Sequence, residues 1–248
     1  MKIKVAVLGA KGRMGSESVK AISAADDLEL VASLDLGDSL DLLKSSGAEV
    51  VLEFTHPDSV MKNLEFAISN GIHVVVGTTG IDSQRMDVIK SLLAKNPKVG
   101  AIIAPNFGLG AVLMMQFAAK AATYFESVEI IELHHPDKAD APSGTATRTA
   151  ELISEARARA KKSAIADKTS SGLAGARGAK VGDVAIHSIR LRGLVAHQEV
   201  LLGDQGETLS IRHDSIGRSG FMPGVLLAIR SVKTRAGLTF GLENVMDI

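Results

Sequence analysis

Short apolar runs alternate with helical segments over the first 104 residues of the chain. The runs are Ile3–Leu8, Leu28–Leu34, Glu49–Phe54, Ile72–Val76 and Val99–Ala104. Each is short and mostly apolar, as expected of a strand that is buried on both faces of a parallel sheet. Three segments with apolar residues at helical intervals separate them, namely Met14–Ala25, Pro57–Asn70 and Ile81–Ala94. The alternation predicts βαβ units and an α/β fold with a parallel sheet.

The pattern changes after residue 107. The predicted elements that follow are a helix over Gly108–Phe125, a strand over Val128–Leu133, a polar loop over His134–Gly144, a helix over Thr145–Lys162 and a loop over Ser170–Gly182. Apolar and polar residues then alternate in Ile189–Arg192 and Leu209–Arg212, which is typical of half-solvated strands in an antiparallel or mixed sheet. A final helix is predicted over Phe221–Val232. We therefore expect a second, smaller α+β domain.

The composition excludes several classes of function. The 248 residues carry 28 basic and 28 acidic side chains, and this balance argues against a nucleic-acid partner. The absence of cysteine excludes disulfides, thiolate catalysis and cysteine-ligated metal sites. It also fits a reducing compartment, so we expect a cytoplasmic protein. No apolar run approaches the ~20 residues of a membrane-spanning helix, and we expect no membrane partner.

A glycine-rich loop follows the first predicted strand. Gly9, Gly12 and Gly15 have G-x-x-G-x-x-G spacing and lead into the first predicted helix. Glycines there permit a tight turn and let backbone N–H groups approach a pyrophosphate at the helix N-terminus. Asp35 ends the second predicted strand, where a carboxylate accepts hydrogen bonds from ribose hydroxyls. Together these features predict a Rossmann-type dinucleotide site, whereas the glycines alone would also fit a close helix–strand contact.

Asp35 also bears on the choice of cofactor. Its carboxylate would repel a 2′-phosphate, and the next residue is Leu36 rather than arginine, so the sequence favours NADH. Lys11 and Arg13 offer positive charge that would accept a phosphate, which leaves NADPH open.

Two further turns fall where the fourth and fifth predicted strands end. They are Gly77–Gly80, with the sequence Gly-Thr-Thr-Gly, and Ala104–Phe107, with the sequence Ala-Pro-Asn-Phe. Ligands bind outside the carboxyl ends of the strands in open α/β sheets, so these turns are candidates for the nicotinamide half of the site. Ordinary strand-to-helix turn chemistry is the alternative.

The segment Glu132–Thr145 is the densest polar stretch of the chain. His134 is suited to donate or accept a proton near neutral pH, and Lys138 supplies positive charge and a proton. Gly144 and Thr145 open a predicted helix, and their backbone N–H groups would bind a carboxylate. This combination predicts a site for a small anionic substrate.

Other interpretations of the polar residues are weaker or structural. His134 and His135 are neighbours on a predicted strand end and would point to opposite faces, so we expect no metal site. Asp137 and Asp140 are interpreted as loop and cap residues. The remaining histidines are isolated in the sequence and are expected to be structural, with His197 the least certain of them. They are His56, His73, His187, His197 and His213.

The chain resembles the 4-hydroxy-tetrahydrodipicolinate reductase family, formerly called dihydrodipicolinate reductase, and most closely its actinobacterial branch. The motifs that carry the resemblance are Gly9–Gly15, Glu53-Phe54-Thr55, Gly77–Gly80, Ala104–Phe107 and, above all, the H-H-x-x-K-x-D-A-P-S-G-T string within Glu132–Thr145. The resemblance covers the whole chain. One departure is Asp137, where some members carry a basic residue.

The resemblance implies a reaction and a set of catalytic residues. The reaction is the NAD(P)H-dependent reduction of a small dicarboxylate, 4-hydroxy-tetrahydrodipicolinate, to tetrahydrodipicolinate in diaminopimelate and lysine biosynthesis. His134 matches the proton donor of the family and Lys138 matches its second catalytic group. His135, Gly144 and Thr145 match the contacts to the substrate carboxylates.

It also implies cofactor contacts and a domain organisation. The matching cofactor contacts are Gly9, Lys11, Gly12, Arg13, Met14, Gly15, Asp35, Gly77, Thr78, Thr79, Ala104, Pro105, Asn106 and Phe107. Residues 1–107 and 218–248 would form the dinucleotide-binding domain. Residues 108–217 would form a domain that binds substrate and assembles a homotetramer.

Two other functions fit parts of the sequence. A different NAD(P)-linked amino-acid dehydrogenase, such as an aspartate dehydrogenase, would share the nucleotide-binding plan but does not call for the His-His-x-x-Lys loop. A non-catalytic NADH sensor would keep the glycine-rich loop and would need no proton donor.

Overall fold

A computed structural model describes residues 2–246 and 248. The chain separates into two compact units. The first runs up to Leu109 and resumes at Arg218, and the second spans Gly110–Gly217. Each unit has its own sheet.

The elements alternate between strand and helix in the first part of the chain. The strands are β1 (Ile3–Leu8), β2 (Leu28–Leu34), β3 (Val50–Glu53), β4 (His73–Val76), β5 (Gly100–Ile103), β6 (Ser127–His134), β7 (Ala179–Val181), β8 (Val184–Arg190), β9 (Ala196–Asp204), β10 (Glu207–Ser215) and β11 (Gly237–Phe240). The helices are α1 (Arg13–Ala24), α2 (Asp41–Ser45), α3 (Val60–Ser69), α4 (Ser83–Lys95), α5 (Leu109–Ala121), α6 (Gly144–Arg159) and α7 (Met222–Val232).

The first unit is built on a six-stranded sheet in the order β11-β5-β4-β3-β1-β2, with every described pair parallel. All residues of β3 and β5 are buried, because helices cover both faces of such a sheet. This arrangement confirms the predicted Rossmann-type α/β fold. The first two predicted strands have the bounds that the sequence indicated.

The carboxyl ends of five strands lie in one row. Leu8 pairs with both Leu34 and Glu53, Glu53 pairs with Val76, and Val76 pairs with Ile103. Because the strands are parallel, the loops that follow them emerge along a single edge of the sheet. This register places the predicted glycine loop and the two later turns on the same edge.

Two helices begin later than the sequence pattern indicated. Pro57 lies in a turn before α3, and the backbone N–H groups of Ser59 and Val60 donate to the carbonyl of His56. In α4 the side chain of Asp82 caps the helix by accepting from the N–H of Arg85. An N-cap residue stands outside the helix it caps, which explains the later start.

Several short elements were not predicted. Helix α2 has five residues, and β11 has four, including the weak strand former Gly237, in an edge position. β7 lies inside the segment Ser170–Gly182, which was expected to be a loop, and pairs antiparallel with β8. Elements this short carry too few residues to show a period.

The second unit contains a five-stranded sheet in the order β10-β9-β6-β8-β7. The β6–β8 pair is parallel and the others are antiparallel, so the predicted mixed sheet is confirmed. Residues of α5 and α6 pack against one face and form the core with Val128, Ile130, Ile186 and Val200. Among the residues that the structure describes, no helix is long and apolar enough to span a membrane.

A core substitution tests the packing of the first sheet. Ile102 is fully buried in β5, where it pairs with Val75 and Thr239. We expect Ile102→Ala to lower the free energy of unfolding by about 3 kcal/mol, because it removes buried methylenes and leaves a cavity. Chemical denaturation measures the change.

Val88→Ala is the control, because Val88 lies on α4 of the same unit and is 48% exposed. Its effect should stay within about 0.5 kcal/mol. Equal effects of the two variants would contradict the assignment of Ile102 to the core.

Candidate functional site

The glycine-rich loop passes close to neighbouring backbone. Gly9 has a φ of +77°, and a Cβ atom there would meet the carbonyl of Phe54. A Cβ on Gly15 would meet the backbone of Gly9, and Gly12 serves as the N-cap of α1 without a side-chain capping bond. The first helical N–H groups of α1 are thus left for a ligand, as in a phosphate-binding loop.

Asp35 is anchored to this loop. The N–H of Lys11 donates to one carboxylate oxygen at 2.7 Å, and the N–H of Leu36 donates to the other at 2.9 Å. The hydrogen bonds from Leu36 and Lys11 hold the pKa of Asp35 below its usual range. The carboxylate is therefore ionised at neutral pH. In the glycine-rich loop and the first turn of α1, Lys11 and Arg13 are exposed and Met14 is half-buried.

A cavity of about 440 Å³ opens beside the loop. Its lining includes Gly9, Gly12 and Asp35 from the loop and the end of β2, and Ser59 and Lys62 from the start of α3. The structure thus brings the predicted carboxylate and glycines to one cavity. Lys62 was not predicted, because a single lysine on an exposed helix face carries no signal in the sequence.

The turn Gly77–Gly80 meets two aromatic rings. Phe54 and Phe107 make an edge-to-face contact with ring centroids 5.6 Å apart. A Cβ on Gly77 would overlap both rings, so the contact requires glycine at this position. Phe107 is buried, and its ring packs against that of Phe54.

The remaining predicted cofactor residues lie along the same edge of the sheet. The N–H of Ala104 donates to the carbonyl of Val76, and Ala104 is buried. Pro105 and Thr79 are exposed. The side-chain oxygen of Asn106 accepts from the N–H of Gly108.

Glu53 is a buried carboxylate that the sequence analysis did not assign to the site. It is 0% exposed and ends β3. The hydroxyls of Thr55 and Thr78 donate to it, and the amide of Asn63 donates at 3.1 Å. The N–H of Thr55 in turn donates to the hydroxyl oxygen of Thr78 at 2.9 Å. Glu53 therefore ties together the loops that follow β3 and β4.

His134 lies at the end of β6 in the second unit. Its Nδ1 is 2.5 Å from a carboxylate oxygen of Glu132, which is fully buried. Burial lowers the pKa of His134 below its ordinary value, and the adjacent Glu132 opposes this effect. The positive charge of Lys138 also lowers it. Lys138 is thus close enough to influence the imidazole.

Glu132 forms an ion pair with Arg190 on the neighbouring strand β8. Two guanidinium nitrogens donate to the two carboxylate oxygens, each at 2.8 Å. Burial alone would raise the pKa of Glu132, but hydrogen bonds from Arg190, Ser188 and His134 bring it below the usual range. Arg190 was not predicted, because only the parallel register of β6 and β8 brings it opposite His134.

Lys138 is held by Asp140. Its ammonium nitrogen is 2.6 Å from the carboxylate, and this hydrogen bond keeps the pKa of Asp140 below its usual range. The N–H of Gly144 also donates to Asp140 and contributes to the shift. The sequence predicts a loop or cap residue at Asp140, and it lies in the loop before α6, whose N-cap is Ser143, where it pairs with Lys138.

The predicted substrate contacts His135, Gly144 and Thr145 lie in the same segment. His135 is exposed, as is Gly144 at the start of α6, and the neighbouring Asp137 is also exposed. Ser143 caps the helix by accepting from the N–H of Ala146, and Thr145 lies in the first turn, half-buried.

The five isolated histidines have structural surroundings or exposed positions. Four have a partner: His73 accepts from the N–H of Gly100, while His187, His197 and His56 contact Glu129, Asp214 and Asp58, respectively. His197 also accepts the N–H of Val195 on its second ring nitrogen, so neither nitrogen is available for proton transfer. His213 packs against Gly110, and His56 is exposed.

Over residues 2–246 and 248, no three side chains of His, Cys, Asp or Glu are grouped so that they would hold a metal ion. The second unit offers an imidazole held by a buried carboxylate, an ammonium group on the same loop, and an exposed helix start. These groups are suited to proton transfer and anion binding. The first unit offers a loop and cavity suited to a dinucleotide.

Both parts of the chain match known families. Residues 3–107 match the family described as "Dihydrodipicolinate reductase, N-terminus", and residues 110–246 match "Dihydrodipicolinate reductase, C-terminus". Together these matches cover nearly the whole chain.

Similar proteins carry the corresponding name. The 4-hydroxy-tetrahydrodipicolinate reductase of Streptomyces griseus is 60% identical over 247 residues, covering 100% of this chain and 99% of that protein. The protein of the same name from Nocardia farcinica is 60% identical over 248 residues, covering 100% of both. A dihydrodipicolinate reductase from Paenisporosarcina, solved with dipicolinate bound, has 41% identity and a TM-score of 0.88, covering 98% of this chain and 99% of that one. The chain therefore belongs to the dihydrodipicolinate reductase family and is an oxidoreductase.

Proposed function

We propose that the chain reduces 4-hydroxy-tetrahydrodipicolinate to tetrahydrodipicolinate with NAD(P)H, and that His134 and Lys138 are its catalytic residues. The reaction consumes one hydride and one proton and releases NAD(P)⁺ and water. It belongs to diaminopimelate and lysine biosynthesis. The observation that carries the proposal is that His134 and Lys138 lie on one segment and are each held by a carboxylate, Glu132 or Asp140.

The first unit is proposed to hold the cofactor, which supplies the hydride when bound. The N–H groups at the start of α1 would bind the pyrophosphate, with Gly9, Gly12 and Gly15 keeping the approach free of side chains. The carboxylate of Asp35 would accept hydrogen bonds from the adenosine ribose hydroxyls in the neighbouring cavity. The residues Lys11, Arg13, Met14, Gly77, Thr78, Thr79, Ala104, Pro105, Asn106 and Phe107 complete the proposed cofactor set.

The second unit is proposed to bind the dicarboxylate and supply the proton. Lys138, His135 and the N–H groups of Gly144 and Thr145 would neutralise its carboxylates. The two negative charges of the substrate would raise the pKa of His134, which burial otherwise lowers. His134 would therefore gain its proton when the substrate binds, and donate it as the hydride is transferred.

NADH is proposed as the preferred cofactor, with NADPH also accepted. The ionised carboxylate of Asp35 lines the cavity that would receive the adenosine ribose. Its negative charge would repel a 2′-phosphate on that ribose. Lys62 lines the same cavity, and its positive charge would reduce the penalty.

A homotetramer and a cytoplasmic location are also proposed. The sheet of the second unit exposes the large apolar side chains of Ile189, Leu201 and Leu209, between 37% and 40% each, and such side chains favour association between copies of the chain. The proposed use of NAD(P)H in a biosynthetic reaction supports the location.

The catalytic assignment is tested by His134→Gln and Lys138→Ala. Both variants should lose at least about 100-fold in kcat, since a positioned general acid contributes that much or more, and both should still bind NADH. Turnover is followed by the loss of NADH absorbance with 4-hydroxy-tetrahydrodipicolinate, and cofactor binding by the fluorescence of NADH.

His187→Gln is the matched control, because His187 also contacts a glutamate of β6 and is not among the proposed catalytic residues. It should keep the wild-type rate. Wild-type rates in both His134→Gln and Lys138→Ala would refute the assignment. If the protein turned over an amino acid in place of the dicarboxylate, it would be a different dehydrogenase. If it bound NADH but showed no turnover, it would be a non-catalytic sensor.

The cofactor preference is tested by Asp35→Asn. Removing the negative charge should raise kcat/KM for NADPH relative to NADH by about tenfold, the change expected when one unfavourable charge contact is lost. Asp41→Asn, on exposed α2 outside the cavity, should leave the ratio unchanged. An unchanged ratio in Asp35→Asn would show that the carboxylate does not face the 2′ position.

A further inference from the structure

Glu132 and Arg190 form a largely buried ion pair in the second unit. Glu132 is fully buried and the side chain of Arg190 is 20% exposed. Such a pair costs desolvation, and apolar residues of similar size often give equal or greater stability. Its presence at this position therefore calls for a role other than stability.

The pair determines which nitrogen of His134 carries a proton. Glu132 is ionised, because hydrogen bonds from Arg190, Ser188 and His134 lower its pKa despite burial. An ionised carboxylate only accepts hydrogen bonds, so Nδ1 of His134 must donate to it. Nε2 is then the nitrogen that takes up and delivers the catalytic proton.

Arg190 also reaches the loop that carries Lys138. One of its guanidinium nitrogens donates to the backbone carbonyl of Asp140 at 2.8 Å. The carboxylate of the same Asp140 accepts from Lys138 at 2.6 Å. Arg190 is thus bonded, through one residue on each side, to both proposed catalytic groups.

The N–H of Ser143 completes the arrangement by donating to Glu132 at 3.2 Å. Ser143 is the N-cap of α6, so the start of this helix is fixed to the same carboxylate. The imidazole, the ammonium group and the helix start are therefore attached to one buried ion pair.

We propose that Glu132 and Arg190 are positioning residues that hold His134 in its proton-donating orientation and fix Lys138 relative to it. The proposal rests on the proposed function, since it assumes that His134 donates the proton. In addition, Glu132 and Arg190 determine the rate of transfer although neither residue contacts the transferred hydride or the proton on Nε2.

The charges around His134 give the sign of the expected pH effect. Glu132 raises the pKa of His134, while burial, Lys138 and Arg190 lower it. Asp140 is paired with Lys138 and offsets part of the charge of that lysine. Glu132→Gln removes the group that raises the pKa, so His134 should lose its proton at lower pH. Because the reaction needs the protonated form, the alkaline limb of the kcat/KM profile should move to lower pH.

The experiment compares Glu132→Gln, Arg190→Lys and the control Glu129→Gln in the full-length enzyme. Glu129 lies on the same strand and contacts an arginine and a histidine, Arg177 and His187, but neither catalytic group. Steady-state rates are measured across pH, and NADH affinity is measured by fluorescence.

We expect Glu132→Gln to lower kcat by about 10- to 100-fold and to move the alkaline limb by about one pH unit towards acid. Arg190→Lys keeps both charges but cannot form the two-pronged contact, so kcat should fall about 10-fold with the limb in place. NADH affinity should stay at the wild-type value in both, because the proposed cofactor residues all lie in the first unit. Glu129→Gln should match wild type.

Several results would overturn the proposal. Wild-type rates and an unmoved limb in Glu132→Gln and Arg190→Lys, with His134→Gln inactive, would refute positioning and leave the proposed function intact. An active His134→Gln would refute both. A fall in rate equal to that of Glu129→Gln would reduce the effect to general loss of stability. If Glu132→Gln does not fold, as judged by circular dichroism, the fall in kcat of Arg190→Lys decides the matter, and a wild-type rate in that variant would refute the proposal.

Discussion

A carboxylate that is buried at the end of a strand must collect hydrogen bonds from whatever surrounds it, because an unpaired buried charge is too costly to keep. Each unit of this protein contains one. Glu53 accepts hydrogen bonds from Thr55, Thr78 and Asn63, and Glu132 accepts hydrogen bonds from Arg190 and His134. In both cases the donors belong to segments that the proposed function uses, so satisfying the carboxylate also shapes the proposed site.

The two carboxylates are satisfied by different chemistry. Glu53 accepts hydrogen bonds from neutral hydroxyl and amide groups, which orient their hydrogens towards it and fix the turns after β3 and β4. Glu132 is paired with a guanidinium group and with the imidazole of His134, the proposed proton donor, and this pairing keeps it ionised. The first arrangement suits a rigid frame for a cofactor. The second suits a group that must gain and lose a proton.

The sequence was sufficient to predict the fold and the family, and it named most residues of the proposed site. Apolar runs and the glycine spacing predicted the parallel sheet, because a strand buried on both faces leaves a strong pattern. The His134–Thr145 segment stood out because its polar residues are adjacent in the chain. Arg190 and Lys62 could not be found in this way, since each reaches the site through strand register or helix placement far along the chain. Short elements such as α2 and β11 were missed for lack of a period.

The central claim is that a buried carboxylate holds the imidazole of His134 ready for proton transfer. Nitrogen NMR of the wild-type enzyme with isotopically labelled histidine tests it directly. The account predicts that neutral His134 carries its proton on Nδ1 and titrates with a pKa below that of an ordinary histidine, as burial requires. A proton on Nε2 of the neutral imidazole, with Nδ1 unprotonated, would contradict it.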